Sequence, residues 1–180
     1  MRYFVITILL LCSLVMTAQT YYYDVTKTFN ENGYTYQCDV LDGAKFVKLY
    51  NKDNKFVNVE QVDQNTGEQM SIDYKKQVLE DDSWTRVKCL SIINDAFSIV
   101  EKQYIKEQNR PVSIMLYIDS ETGRIADVTY SFISNTPFGT IPISVYRKIE
   151  KDLKENVWFI PTKEGKRWNY IALGWVHKVK

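Results

Sequence analysis

The stretch from Val112 to Val179 constrains this chain most, because its residues dictate a fixed order of elements. Val112, Ile114, Leu116 and Ile118 alternate with Ser113, Met115, Tyr117 and Asp119, which predicts a strand with one strongly apolar face. Asp119-Ser120-Glu121-Thr122-Gly123 supplies turn chemistry. Ala126, Val128, Tyr130 and Phe132 then line one face of a return strand. Pro142 opens a helix at a position where its missing N–H costs nothing, with Ile149, Leu153 and either Val145 or Tyr146 on the buried side. Trp158-Phe159-Ile160-Pro161 turns the chain out of the helix, and Glu164-Gly165 leads into a last strand over residues 167–179. The core predicted from these patterns comprises Leu90, Phe97, Leu116, Val128, Ile149 and Phe159.

The preceding residues read differently. Residues 20–74 carry Tyr, Val, Thr and Phe in short runs, cut by Asn30-Glu31-Asn32-Gly33, Asp42-Gly43, Lys52-Asp53-Asn54 and Asn65-Thr66-Gly67. This predicts an antiparallel meander with strands at 20–29, 34–41, 44–50, 55–62 and 68–74. After Glu80-Asp81-Asp82-Ser83, a spacing of three and four through Leu90, Ile93, Phe97, Val100 and Tyr104 predicts one long helix from Trp84 to about Gln108. The fold class is therefore α+β: an antiparallel N-terminal meander, a long helix, then a β-β-α-β unit. Residues 19–180 are expected to form a single domain, with lobes at 20–75 and 84–180.

Arg2, an apolar run from Phe4 to Met16 and the small residue Ala18 predict a secretory signal peptide over residues 1–18, so an exported protein that does not span the membrane once mature. An uncleaved anchor is the alternative reading of the same run. Removing those residues takes away one base, leaving 22 Lys+Arg against 22 Asp+Glu. A neutral balance offers no electrostatic footprint for nucleic acid. Export permits a disulfide between Cys38 and Cys89, which both fall on the apolar side of their elements; two buried thiols are the other reading.

The last seventy residues resemble the carboxy-terminal domain of TonB-type energy transducers, at Asp119, Gly123 and Arg124, at Phe159 and Pro161, and at Gly165 and Lys166. That resemblance implies a last strand that takes up an extended peptide at a sheet edge. The transducers' membrane anchor and Pro-rich stalk have no counterpart here, and the whole chain resembles small secreted proteins of unknown function from Gram-negative gut anaerobes. This places it in the periplasm or outside the cell. Within the last strand, Trp168, Tyr170 and Ala172 oppose Ile171, Leu173 and Trp175. Both faces are thus apolar, the pattern of a covered, central strand.

Chemistry is sparse. His177 is the sole histidine, and nothing local makes it the base of a nucleophile pair with Cys38 or Cys89. Asp63-x-Asn65-x-Gly67 and Asp119-x-Glu121-x-Gly123 have the look of partial calcium loops, but each lacks the distant bidentate glutamate and sits where a turn is needed. No metal or cofactor is expected. Thirteen Tyr and four Trp are the remaining signal, since flat rings with polar handles suit polymer binding. Tyr21, Tyr22, Tyr23, Trp168, Tyr170 and Trp175 are the candidate binding residues. The expected function is a binding or accessory module for an extended peptide or glycan, without chemistry; the alternative is a carboxylate-dependent hydrolase of glycan or peptide.

Overall fold

The computed structural model describes residues 20–41, 43–71, 76–81 and 83–179. The expected signal peptide lies outside them. Six strands form one antiparallel sheet: β1 (Lys27–Glu31), β2 (Tyr34–Leu41), β3 (Phe46–Asn51), β4 (Val112–Ile118), β5 (Ile125–Ile133) and β6 (Ile171–His177), in the spatial order β1-β2-β3-β5-β4-β6. Among the described residues three helices accompany it: α1 (Ser83–Ala96), α2 (Ile99–Gln108) and α3 (Ile143–Asn156). The chain is thus a mixed α+β fold with its strand meander first. The lobes drawn from sequence share one sheet, because β3 pairs with β5 from Phe46–Ile133 to Tyr50–Thr129.

Alternation decides which face is core. Tyr36 and Cys38 of β2, Val47 and Leu49 of β3, Ile114 and Leu116 of β4 and Val128, Tyr130 and Phe132 of β5 are all buried with Tyr146, Ile149 and Leu153 of α3. Between Tyr117 and Ile118 the β4–β5 register slips, with Tyr117 opposite Asp127 but Ile118 opposite Ile125. Ala126 is the extra residue of this bulge, so Ile125 rather than Ala126 continues the buried face.

Several expectations change. The first strand, expected over 20–29, runs only over Lys27–Glu31. The long helix is two helices: Ser98 adopts extended backbone, accepts from the Glu101 N–H, and receives the Glu101 carboxylate on its own N–H, which is a capping box. The restart rotates the stripe beyond Ser98, so Val100 is 77% exposed; before it, Leu90 is only half-buried, while Cys89, Ile93 and Phe97 face the core. The expected strands 55–62 and 68–74 are absent over their described residues, 72–75 lying outside the description; only an isolated bridge, Val62–Gln69, remains. Side chains take up the N–H groups that a ladder would use. Asn54 Oδ1 accepts from Phe56 and Val57, each at 2.9 Å, and Asn169 Oδ1 accepts from Val62 at 3.0 Å. Cys38 and Cys89 are separate free thiols, not a disulfide; each packs as a small hydrophobe on its own element, and burial pushes them up to about 11 and about 12.

Gly123 of the turn after β4 meets Phe159 and Pro161 of the corner after α3. Gly123 sits at φ +72°, and a Cβ there would lie 1.9 Å from the Phe159 carbonyl oxygen. The Phe159 N–H donates to the Gly123 carbonyl at 2.8 Å. The corner after α3 is therefore built against a turn that only glycine permits.

Candidate functional site

The last strand lies at the edge of the sheet, which corrects the covered, central reading. β6 pairs with β4 from Ile118–Ile171 to Val112–His177, and no described strand flanks its outer side. Residues 167–170, expected to belong to it, precede it. They are covered by the loop after β3: Asn169 N–H donates to the Val62 carbonyl, and the Tyr170 hydroxyl donates to the Val59 carbonyl at 2.7 Å. Beyond Tyr170 that cover ends. Leu173, Trp175 and His177 share the helix side with Ile114 and Val112, and His177 lies 3.2 Å from Asn94 Oδ1 of α1. Gly174 and Val176 turn to the opposite face beside Met115 and Ser113, and all four are exposed.

The candidate aromatics divide by burial. Tyr23 is buried with its hydroxyl donating to the Ile141 carbonyl, and its ring packs on Phe29, Phe132 and Tyr146. Trp168 and Tyr170 are also buried, Tyr170 against Phe56 and Tyr117. These three rings are therefore packing residues that offer no surface to a ligand. Tyr21, Tyr22 and Trp175 are half-buried. The exposed large rings include Trp84 and Trp158, edge to face at 5.0 Å, which propensity arguments did not single out.

A second region forms where α3 crosses the β1–β2 hairpin. Asn32 and Gly33, both at positive φ, make the two-residue turn that sets Tyr34 opposite Glu31. Alternation then puts Tyr34 and Tyr36 on the face toward α3. The Arg147 guanidinium stacks 3.5 Å from the Tyr34 ring centroid. The Tyr36 hydroxyl, whose proton the Arg147 charge loosens, donates to Glu150 Oε2. Glu150 is only 1% exposed; Asn51 Nδ2 at 3.5 Å and Lys154 Nζ at 3.4 Å bind its other oxygen. Lys154 reaches on to Asp127 Oδ1 at 3.5 Å, whose second oxygen accepts the Lys55 N–H at 2.9 Å. Burial holds the Tyr36 hydroxyl protonated far above its ordinary range, with the Glu150 charge adding to this and Arg147 opposing it. Burial also raises Asp127, against the pull of Lys55 N–H and Lys154.

Outside this network is a groove of about 490 Å³ between the hairpin turn and α3, with Tyr34, Arg147 and Ser144 among its walls. Its size falls within the range of small-ligand sites. One sequence signal marks this region. Glu150 stands four residues after Tyr146 and three before Leu153, an acid inside the apolar stripe of α3.

The partial calcium loops serve as turns. Asp63 accepts from the N–H groups of Asn65 and Thr66 and pairs with Arg167; Asp119 accepts from the N–H groups of Glu121 and Thr122 and from the Thr122 hydroxyl. Among the described residues no cluster of His, Cys, Asp or Glu is arranged to hold a metal, and no described helix is long and apolar enough to cross a membrane.

An antiparallel six-stranded sheet with helices, its last strand at the edge among the described residues, defines an α+β fold. The chain belongs to the family described as a domain of unknown function (DUF5043), whose match spans residues 19–175. It is similar to the crystal structure of a DUF5043 family protein from Bacteroides uniformis ATCC 8492, at 37% identity over 89% of each chain, with a TM-score of 0.84. No curated protein matches it.

Proposed function

We propose that this protein is an exported binding module that captures an extended peptide along the outer edge of β6 and performs no chemistry on it. The observation that carries this reading is the undefended edge. Ile-Ala-Leu-Gly-Trp-Val-His contains no Lys, Arg, Asp, Glu or Pro, while β1 at the other edge bears Lys27 and Glu31. Edge strands ordinarily carry charge, proline or cover, because unpaired N–H and C=O groups template further pairing. An apolar edge that no described strand covers over seven residues suits main-chain capture. At roughly 3.4 Å per residue, such an edge accepts a peptide of similar length. Alternate side chains of the incoming strand would meet the exposed face of Gly174, Val176 and Met115, where glycine leaves room, so apolar residues at every second position are favoured.

The test is a peptide library measured by fluorescence anisotropy. Alternating apolar peptides should bind, and Val176→Lys should weaken them by about tenfold, while the thermal midpoint stays near wild type because Val176 is 73% exposed. Peptides that bind Val176→Lys as tightly as wild type would remove the edge from the mechanism. Turnover of a peptide or glycan, abolished by substituting one carboxylate, would replace the binding reading with the hydrolase.

A further inference from the structure

We propose that the groove between the β1–β2 turn and α3 is a second, independent binding site, for a monoanionic polyhydroxylated ligand of the uronic-acid class, anchored by Arg147. Arg147 is positioned by the Tyr34 ring, whose centroid lies 3.5 Å from the guanidinium, above a layer in which the Tyr36 hydroxyl donates to the buried Glu150. A guanidinium stacked on a ring keeps its N–H edge available, and that planar fork matches a carboxylate. Its helix neighbours are paired, Lys148 with Asp152 at 2.6 Å and Lys151 with Glu155 at 3.9 Å, whereas no described carboxylate lies within ion-pair distance of Arg147. The groove cation stacked on an aromatic ring is thus the one without an anionic partner among the described residues. Arginine held in place by packing on a ring is an arrangement that favours recognition, because less ordering remains to be done on binding.

The lining selects the ligand class. Three cations, Arg147, Lys148 and Lys151, face two acids, Glu31 and Asp152, so the surplus is one positive charge. That balance fits a single negative charge and disfavours a dianionic phosphate, which the two acids repel. Glu31 and Asp152 as acceptors, with Asn32 and Ser144 as further polar partners, match a ligand rich in hydroxyls.

The experiment uses the mature chain at low ionic strength, with glucuronate, glucose and inorganic phosphate as probes, read by calorimetry and by amide chemical shifts. Glucuronate should saturate and shift Asn32, Ser144 and Arg147. Arg147→Gln should weaken it about tenfold or more, the loss expected for a charge-assisted pair. Lys151→Gln, at an exposed position, gives a smaller loss and serves should Arg147→Gln fail to fold. Lys88→Gln on α1 should change nothing. Equal binding of phosphate would reduce the site to bare charge attraction, and equal binding of glucose would remove the anion anchor. No saturation, or wild-type affinity in both groove variants, overturns the site. Val176→Lys should leave glucuronate binding intact, so failure of the groove and failure of the β6 edge are separately visible.

Discussion

Carboxylates in this protein take opposite positions on the pH scale according to their partners. Asp63 and Asp119 accept several backbone N–H groups, which hold both below the ordinary 3.8; for Asp63 the Asn65 N–H acts first and Arg167 adds to it. A depressed acid contributes stability that is present above its unfolded value and lost as pH falls through the folded one. Asp127 has the reverse sign: burial raises it, so the folded state holds its proton more tightly, and this group favours folding as pH falls through its raised value. Denaturant midpoints measured across acidic pH should therefore show Asp63→Asn flattening the loss of stability below pH 3.8. Asp127→Asn should instead remove a penalty that wild type carries above that pH. The same slope in all three proteins would mean that these contacts do not differ between folded and unfolded chains. The turn role of Asp63 and Asp119 was legible from Asx chemistry. The burial of Asp127 was not, because it depends on β3 ending at Asn51 and the following loop returning to β5.

At the scale of elements, the α1–α2 break shows how a local signal competes with a periodic one. The spacing of Leu90, Ile93, Phe97, Val100 and Tyr104 reads as continuous, yet Ser98-x-x-Glu101 is a capping box that starts a new helix. Ser98→Ala removes the side-chain acceptor and should cost about 1 kcal/mol in chemical unfolding. It should also raise hydrogen exchange in the first turn of α2. No change in either would mean that packing of Ile105 alone fixes the helix start. Strands β2, β4 and β5 were legible because alternation over seven to nine residues survives into the sheet. The segments 55–62 and 68–71 were not, because their Val, Phe and Gln residues suit a strand. What decides against one is the side chains of Asn54 and Asn169, the latter more than a hundred residues away. Sequence can state that β6 is a strand, but edge or centre is a statement about its neighbours.

For the whole molecule, the two halves should unfold together. β3 pairs with β5, Lys55 N–H binds Asp127, and Tyr36 of the first half bonds Glu150 of the second, so neither half keeps its backbone or its buried charge satisfied alone. Circular dichroism and tryptophan fluorescence should give one coincident denaturant transition; two separated transitions would show that the lobes are autonomous. The α+β class, the β-β-α-β order, the neutral charge balance and the turns at Asn32-Gly33 and Gly123 were determined by the sequence itself, since alternation, helical spacing and positive φ are local properties of a few consecutive residues. The free state of Cys38 and Cys89, the burial of Tyr23, Trp168 and Tyr170, the place of β6 at the edge of the described sheet and the Tyr36–Glu150 hydrogen bond were decided only in the tertiary structure. Each depends on which distant segment covers a given side chain, and a residue's own type and spacing carry no record of what packs against it.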